Sequence, residues 1–69
     1  MNIDSVMSSI HRLANSYGYT IPKVTGSVSR LKGRAQAWRL VKLLRADGTP
    51  GPEVTVRVVD GRLRWERQS

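Results

Sequence analysis

Apolar residues recur at steps of three and four through the first part of the chain, at Ile3, Val6, Met7, Ile10, Leu13, Ala14 and Tyr17. At about 100° per residue they share one arc, while Asp4, Ser8, His11, Arg12 and Asn15 share the other, so the spacing predicts an amphipathic helix over 1–18. Asn2 is placed to cap its first turn and Gly18 to end it in a left-handed conformation. The stripe is core, and in so short a chain it is also a candidate seam for a homodimer. Tyr19 to Val24 then reads as an extended edge strand or connector, because Pro22 forbids helix. Thr25 and Ser27 are candidate caps for a short second helix from Ser29 to Lys32, interrupted by Gly33. From Arg34 to Ala46 a helical wheel puts Ala37, Leu40, Val41, Leu43 and Leu44 on one side. Arg34, Trp38, Arg39, Lys42 and Arg45 fall opposite, which predicts a helix with one apolar and one basic face. Asp47-Gly48, Pro50 and Pro52 end it.

The last element is a β-hairpin. Glu53 to Val59 and Arg62 to Arg67 flank Asp60-Gly61, a dipeptide suited to a two-residue type I′ turn. That turn sets Val59 opposite Arg62, Val58 opposite Leu63, Arg57 opposite Arg64, Val56 opposite Trp65 and Thr55 opposite Glu66. Val54, Val56, Val58, Leu63 and Trp65 form the core side. On the other side Arg57 faces Arg64, with Arg62 near and Glu66 on the diagonal. Like charges directly opposite destabilise a sheet, and a phosphate between them turns repulsion into binding.

Charge sharpens this picture. The 69 residues hold 12 Lys or Arg against 5 Asp or Glu, a net charge of +7. Asp4 and Arg12 cancel in the first helix, and Asp47, Glu53, Asp60 and Glu66 cancel Arg57, Arg62, Arg64 and Arg67 at the other end. The excess comes from Lys23, Arg30, Lys32, Arg34, Arg39, Lys42 and Arg45. A basic block beside balanced elements is an address for a polyanion, and nucleic acid is the commonest. A solvated face kept soluble by charge is the competing reading. Trp38 has two placements: stacked on a base or sugar from the basic face, or packed under the Tyr19 segment or the hairpin.

From Val28 to Arg67 the order resembles a winged helix-turn-helix domain. SRLKGRAQAWRLVKLLRADG is similar to the second helix, turn and recognition helix, and EVTVRVVDGRLRWERQ is similar to the wing. The resemblance implies a small α+β single domain over 1–69 that binds duplex DNA, as a sequence-specific or architectural regulator of transcription. It puts Arg34, Trp38, Arg39, Lys42 and Arg45 toward the groove and Arg57, Arg62 and Arg64 on the backbone, with Arg30 and Lys32 adding phosphate contacts.

Other classes compete unequally. An enzyme is not expected: Ser9 and His11 are two apart on a helix and point apart, no acid orients the imidazole, and no phosphate-cradling glycine motif occurs. With no cysteine and one histidine, neither a metal site nor a cofactor is expected. The chain shows no secretory pattern and nothing near the roughly 20 apolar residues of a membrane span, so a cytoplasmic protein is expected, nucleoid-associated if it binds DNA. The rivals are an RNA-binding or ribonucleoprotein accessory protein, and a small phage-like or plasmid-like inhibitor that docks on an acidic protein or nucleoprotein surface.

Overall fold

The hairpin organises the fold. In the computed structural model, which describes residues 3–31 and 36–67, strands Val54–Val59 and Arg62–Arg67 meet in the register that the turn dictates, Val59↔Arg62 through Thr55↔Glu66. Asp60 and Gly61 take φ of 52° and 75°, the two positive values of a type I′ turn. In chain order the elements are α1 (Ile3–Ser16), β1 (Tyr19–Thr20), β2 (Val28–Arg30), β3 (Ala37–Leu40), β4 (Leu44–Arg45), β5 (Val54–Val59) and β6 (Arg62–Arg67). A four-stranded antiparallel sheet runs β2-β3-β5-β6, and β1 and β4 form a separate antiparallel pair, Tyr19↔Arg45 and Thr20↔Leu44.

The register sorts the side chains into two faces. Val28, Leu40 and Val54 lie in one row across the sheet and Arg30, Trp38, Val56 and Trp65 in the next, all on the same side. Against that side pack Val6, Ile10 and Ala14 of α1, which are buried with Ile21, Leu40, Leu43, Val54 and Val56. Complete burial of Ile10, Leu40, Leu43, Val54 and Val56 contributes about 1.5–3 kcal/mol for each side chain. Tyr17 and Tyr19 lie nearly parallel to Trp65, with ring centroids 4.8 and 5.9 Å away. Val6, Ile10 and Ala14 of the apolar stripe of α1 thus serve the chain's own core, with Met7 and Leu13 half-buried against it and Tyr17 exposed. The helix stops as its sequence implies: Gly18 has φ +87° and its N–H reaches the Asn15 carbonyl at 3.0 Å. The expected Asn2 cap lies outside the described residues.

The middle of the chain departs from expectation. Over the described residues, the short second helix expected from Ser29 to Lys32 gives way to β2, and the basic helix expected over Arg34–Ala46 gives way to β3, a connector and β4. Ala, Leu, Lys and Arg favour helix by only tenths of a kcal/mol each. As a strand, AWRL instead hydrogen-bonds on both edges, to β2 and β5, and buries Leu40 completely. The helix-turn-helix half of a winged-helix arrangement is therefore absent among the described residues, while the α+β class stands with one helix and two antiparallel sheets. No helix among the described residues is long and apolar enough to cross a membrane.

Candidate nucleic-acid interface

The side of the sheet away from α1 is basic. Alternation puts Arg39 of β3, Arg57 of β5, and Arg62 and Arg64 of β6 on it, and the only acid in these rows is Glu66. Four arginines against one glutamate leave a balance of +3. Arg39, Arg62 and Arg64 are exposed. Ala37 and Thr55, both small and both buried, lie between the long side chains in the rows Ala37–Arg57–Arg64 and Arg39–Thr55–Glu66. Arg62 and Arg64 stand about 6.8 Å apart along their strand, and Arg39 is two strand spacings, about 9.6 Å, from β6.

Arg57 and Arg64 are Cα partners, the like-charge pair that the turn chemistry implied. The structure relieves it on the diagonal: Arg57 donates Nε–H to Glu66 Oε1 at 3.0 Å and a second hydrogen bond from Nη2 to the same oxygen. Arg57 is thereby occupied within the chain, whereas Arg64 has no side-chain partner among the described residues.

The remaining expected contacts divide. Arg30 is exposed on the edge strand β2, but on the α1 side, opposite Trp38. Trp38 is half-buried against the core and belongs to that same side, so its expected place on a basic helix face is corrected to packing beside the hairpin strand β5. Lys42 donates from Nζ to the Thr25 carbonyl at 3.1 Å, and Arg45 donates from Nη1 to the Pro50 carbonyl, so both brace loops away from the open face. Lys32 and Arg34 lie outside the described residues. Two further cations, Arg12 and Lys23, line an open groove with Met7, Ser8, His11 and Asn15. Periodicity could not reveal that groove, because its two walls meet only in the fold.

One carboxylate is visibly tuned. The Asp47 pKa is held below the usual value by hydrogen bonds from the Thr49 hydroxyl, at 2.6 Å, and the Thr49 amide, at 3.0 Å, with Arg45 adding a smaller electrostatic pull. Its role is to close the Arg45–Thr49 turn, where the Arg45 amide also bonds the Thr49 carbonyl at 2.8 Å. No cluster of three or more potential metal ligands occurs among the described residues. Comparison with family models, with curated proteins and with solved structures returns no match for this chain.

Proposed function

We propose that this chain binds duplex nucleic acid, duplex DNA first, by laying the open face of its sheet along the phosphate backbone. One observation carries the reading: Arg39, Arg62 and Arg64 project from one exposed face, and the single carboxylate of its paired rows, Glu66, is already engaged by Arg57. Bidentate guanidinium donors match phosphate oxygens, and each neutralised phosphate releases a counterion. With no basic helix among the described residues to enter the major groove, the recognition is of backbone rather than base edges, which favours an architectural role over a sequence-specific one.

Duplex is favoured over single strands by the position of the aromatic rings. Proteins that hold unpaired bases stack them on aromatic side chains beside the cations. Here Tyr19, Trp38 and Trp65 pack on the α1 side, and the rows of the open face contain no ring.

Three arginines of this face with no side-chain partner among the described residues predict a log–log salt slope near −2.7, so a fourfold rise in salt weakens binding about 40-fold. The test is anisotropy of labelled mixed-sequence duplex DNA, single-stranded DNA and structured RNA across a salt series. Tighter binding to duplex with that slope supports the proposal, and Arg39→Ala should flatten the slope by about 0.9 while Lys42→Ala, on a residue that braces Thr25, changes it less. Absence of binding at low salt removes the proposal in favour of an acidic protein partner. A preference for single strands with tryptophan quenching removes it in favour of stacking.

A further inference from the structure

Strand β6 is an edge, and its outer side is unspent. The Val58 amide donates toward β3, to the Gln36 carbonyl at 3.0 Å, so the amides of Thr55, Arg57 and Val59 face β6. Their partners Glu66, Arg64 and Arg62 spend their own backbone groups inward. Leu63, Trp65 and Arg67 therefore turn N–H and C=O outward, and none of these groups has a backbone partner among the described residues. Edge strands are commonly blunted by shortness, a proline, a bulge, charged side chains or a covering helix or loop. β6 is an unbroken run of six residues, RLRWER, with no proline; among the described residues it pairs only with β5, and its charges are of both signs, so they oppose a second copy in some registers and attract it in others.

We propose that β6 pairs antiparallel with β6 of a second copy of this chain, about a two-fold axis through Trp65, to give one continuous eight-stranded sheet. Self-pairing that hydrogen-bonds the outward residues to one another and keeps both faces in line can centre only on a residue, and charge selects which. An axis at Leu63 sets Arg62 against Arg64, an axis at Arg64 sets that arginine against its own copy, and an axis at Glu66 does the same with the carboxylate. The axis at Trp65 avoids every like-charge pair. It sets Arg64 opposite Glu66 of the second copy twice over, Leu63 opposite Arg67, and Trp65 beside its copy on the α1 side. Each Glu66 then sits between Arg57 of its own hairpin and Arg64 of the other. The inference does not rest on nucleic-acid binding, and in the dimer each Arg64 is engaged by Glu66 of the other copy, which leaves Arg39 and Arg62 as the open cations of the face.

Sedimentation equilibrium of the full chain without nucleic acid, from micromolar to high micromolar concentration, tests it. The wild type is expected to dimerise reversibly. Arg64→Glu keeps an attractive partner inside the chain, since residue 64 faces Arg57, yet it creates two carboxylate pairs across the axis and should weaken the dimer at least about tenfold. The charge swap Arg64→Glu with Glu66→Arg restores opposite charges in the register centred on Trp65, whose ladder spans residues 63–67 where one centred on Leu63 spans only 62–64, and should restore the dimer. Circular dichroism establishes that both variants fold. A wild type that stays monomeric, an Arg64→Glu dimer of unchanged strength, or a folded swap variant that stays monomeric each overturns the proposal.

Discussion

Val56→Ala probes the face assignment on which the basic surface depends. Val56 is completely buried in β5, and its Cα partners are Trp38 on one side and Trp65 on the other. Truncation removes two methyl groups that water does not reach, a transfer loss of about 1.6 kcal/mol. If the two indoles stay in place, a void of roughly 45 Å³ adds about 1 kcal/mol. The expected loss is therefore about 2.5 kcal/mol, against a total of about 3.5–10 kcal/mol for a domain this size. That corresponds to a fall in Tm of about 10–20 °C. Urea unfolding followed by tryptophan fluorescence reads the change directly, because both indoles flank the site. Val59→Ala, three residues on, half-buried and on the open side, should cost less than about 1 kcal/mol. If Val59→Ala costs as much as Val56→Ala, the two faces are wrongly assigned and the arginine surface loses its foundation.

Three further outcomes follow from particular contacts. A Cβ on Gly51 would come within 3.2 Å of the Tyr19 ring and 3.3 Å of Leu43, whereas one on Gly48 meets nothing; Gly51→Ala should disturb tryptophan fluorescence through the Tyr19–Trp65 stack, and Gly48→Ala, strained only by its φ of +85°, should leave the spectrum unchanged. Glu66→Gln releases Arg57 from a pair whose side chains are 37% and 41% exposed, so urea titration should show a loss below about 1 kcal/mol while the duplex salt slope steepens by about 0.9. Because the folded state lowers the Asp47 pKa, the unfolded chain binds that proton more readily, and the turn's contribution is complete above the ordinary carboxylate pKa and lost as pH falls through the lowered one. The Thr49 amide resonance should follow that acid transition, and Asp47→Ala should abolish it.

The two ends of the chain were legible because each carries an unambiguous period with punctuation. Steps of three and four ending at Gly18 define α1, and alternation around Asp60-Gly61 defines β5 and β6 down to the register. The stretch from Val28 to Arg45 carries no such bias. From Ala37 on, its apolar residues at 37, 38, 40, 41, 43 and 44 suit a helical stripe and a pair of short strands equally, and they include good helix formers. The deciding partner is β5, which lies beyond the Asp47–Pro52 loop, so the strand identity of β3 is a tertiary fact rather than a local one. Trp38 was the available signal. On the helical wheel it stands isolated among cations, whereas alternation puts Trp38 and Leu40 together and turns Arg39 away from them. The candidate site shifted accordingly: Arg39, Arg62 and Arg64 remain exposed on one face, and Arg30, Lys42 and Arg45 leave it because the helix that would have aligned them does not form.

Strand order has a kinetic consequence. In the sequence β2-β3-β5-β6, each strand of the large sheet lies beside its nearest neighbour in that sheet along the chain, so it can grow outward from the Asp60-Gly61 turn by short loop closures. The α1 residues Val6 and Ile10 must instead find Val54 and Val56 across nearly the whole chain. Folding is expected to begin at the C-terminal hairpin and finish with helix docking, so that Val56→Ala slows folding while Ile10→Val mainly speeds unfolding. During synthesis α1 precedes the sheet that covers it, so its apolar residues stay unburied until the hairpin strands β5 and β6 have emerged.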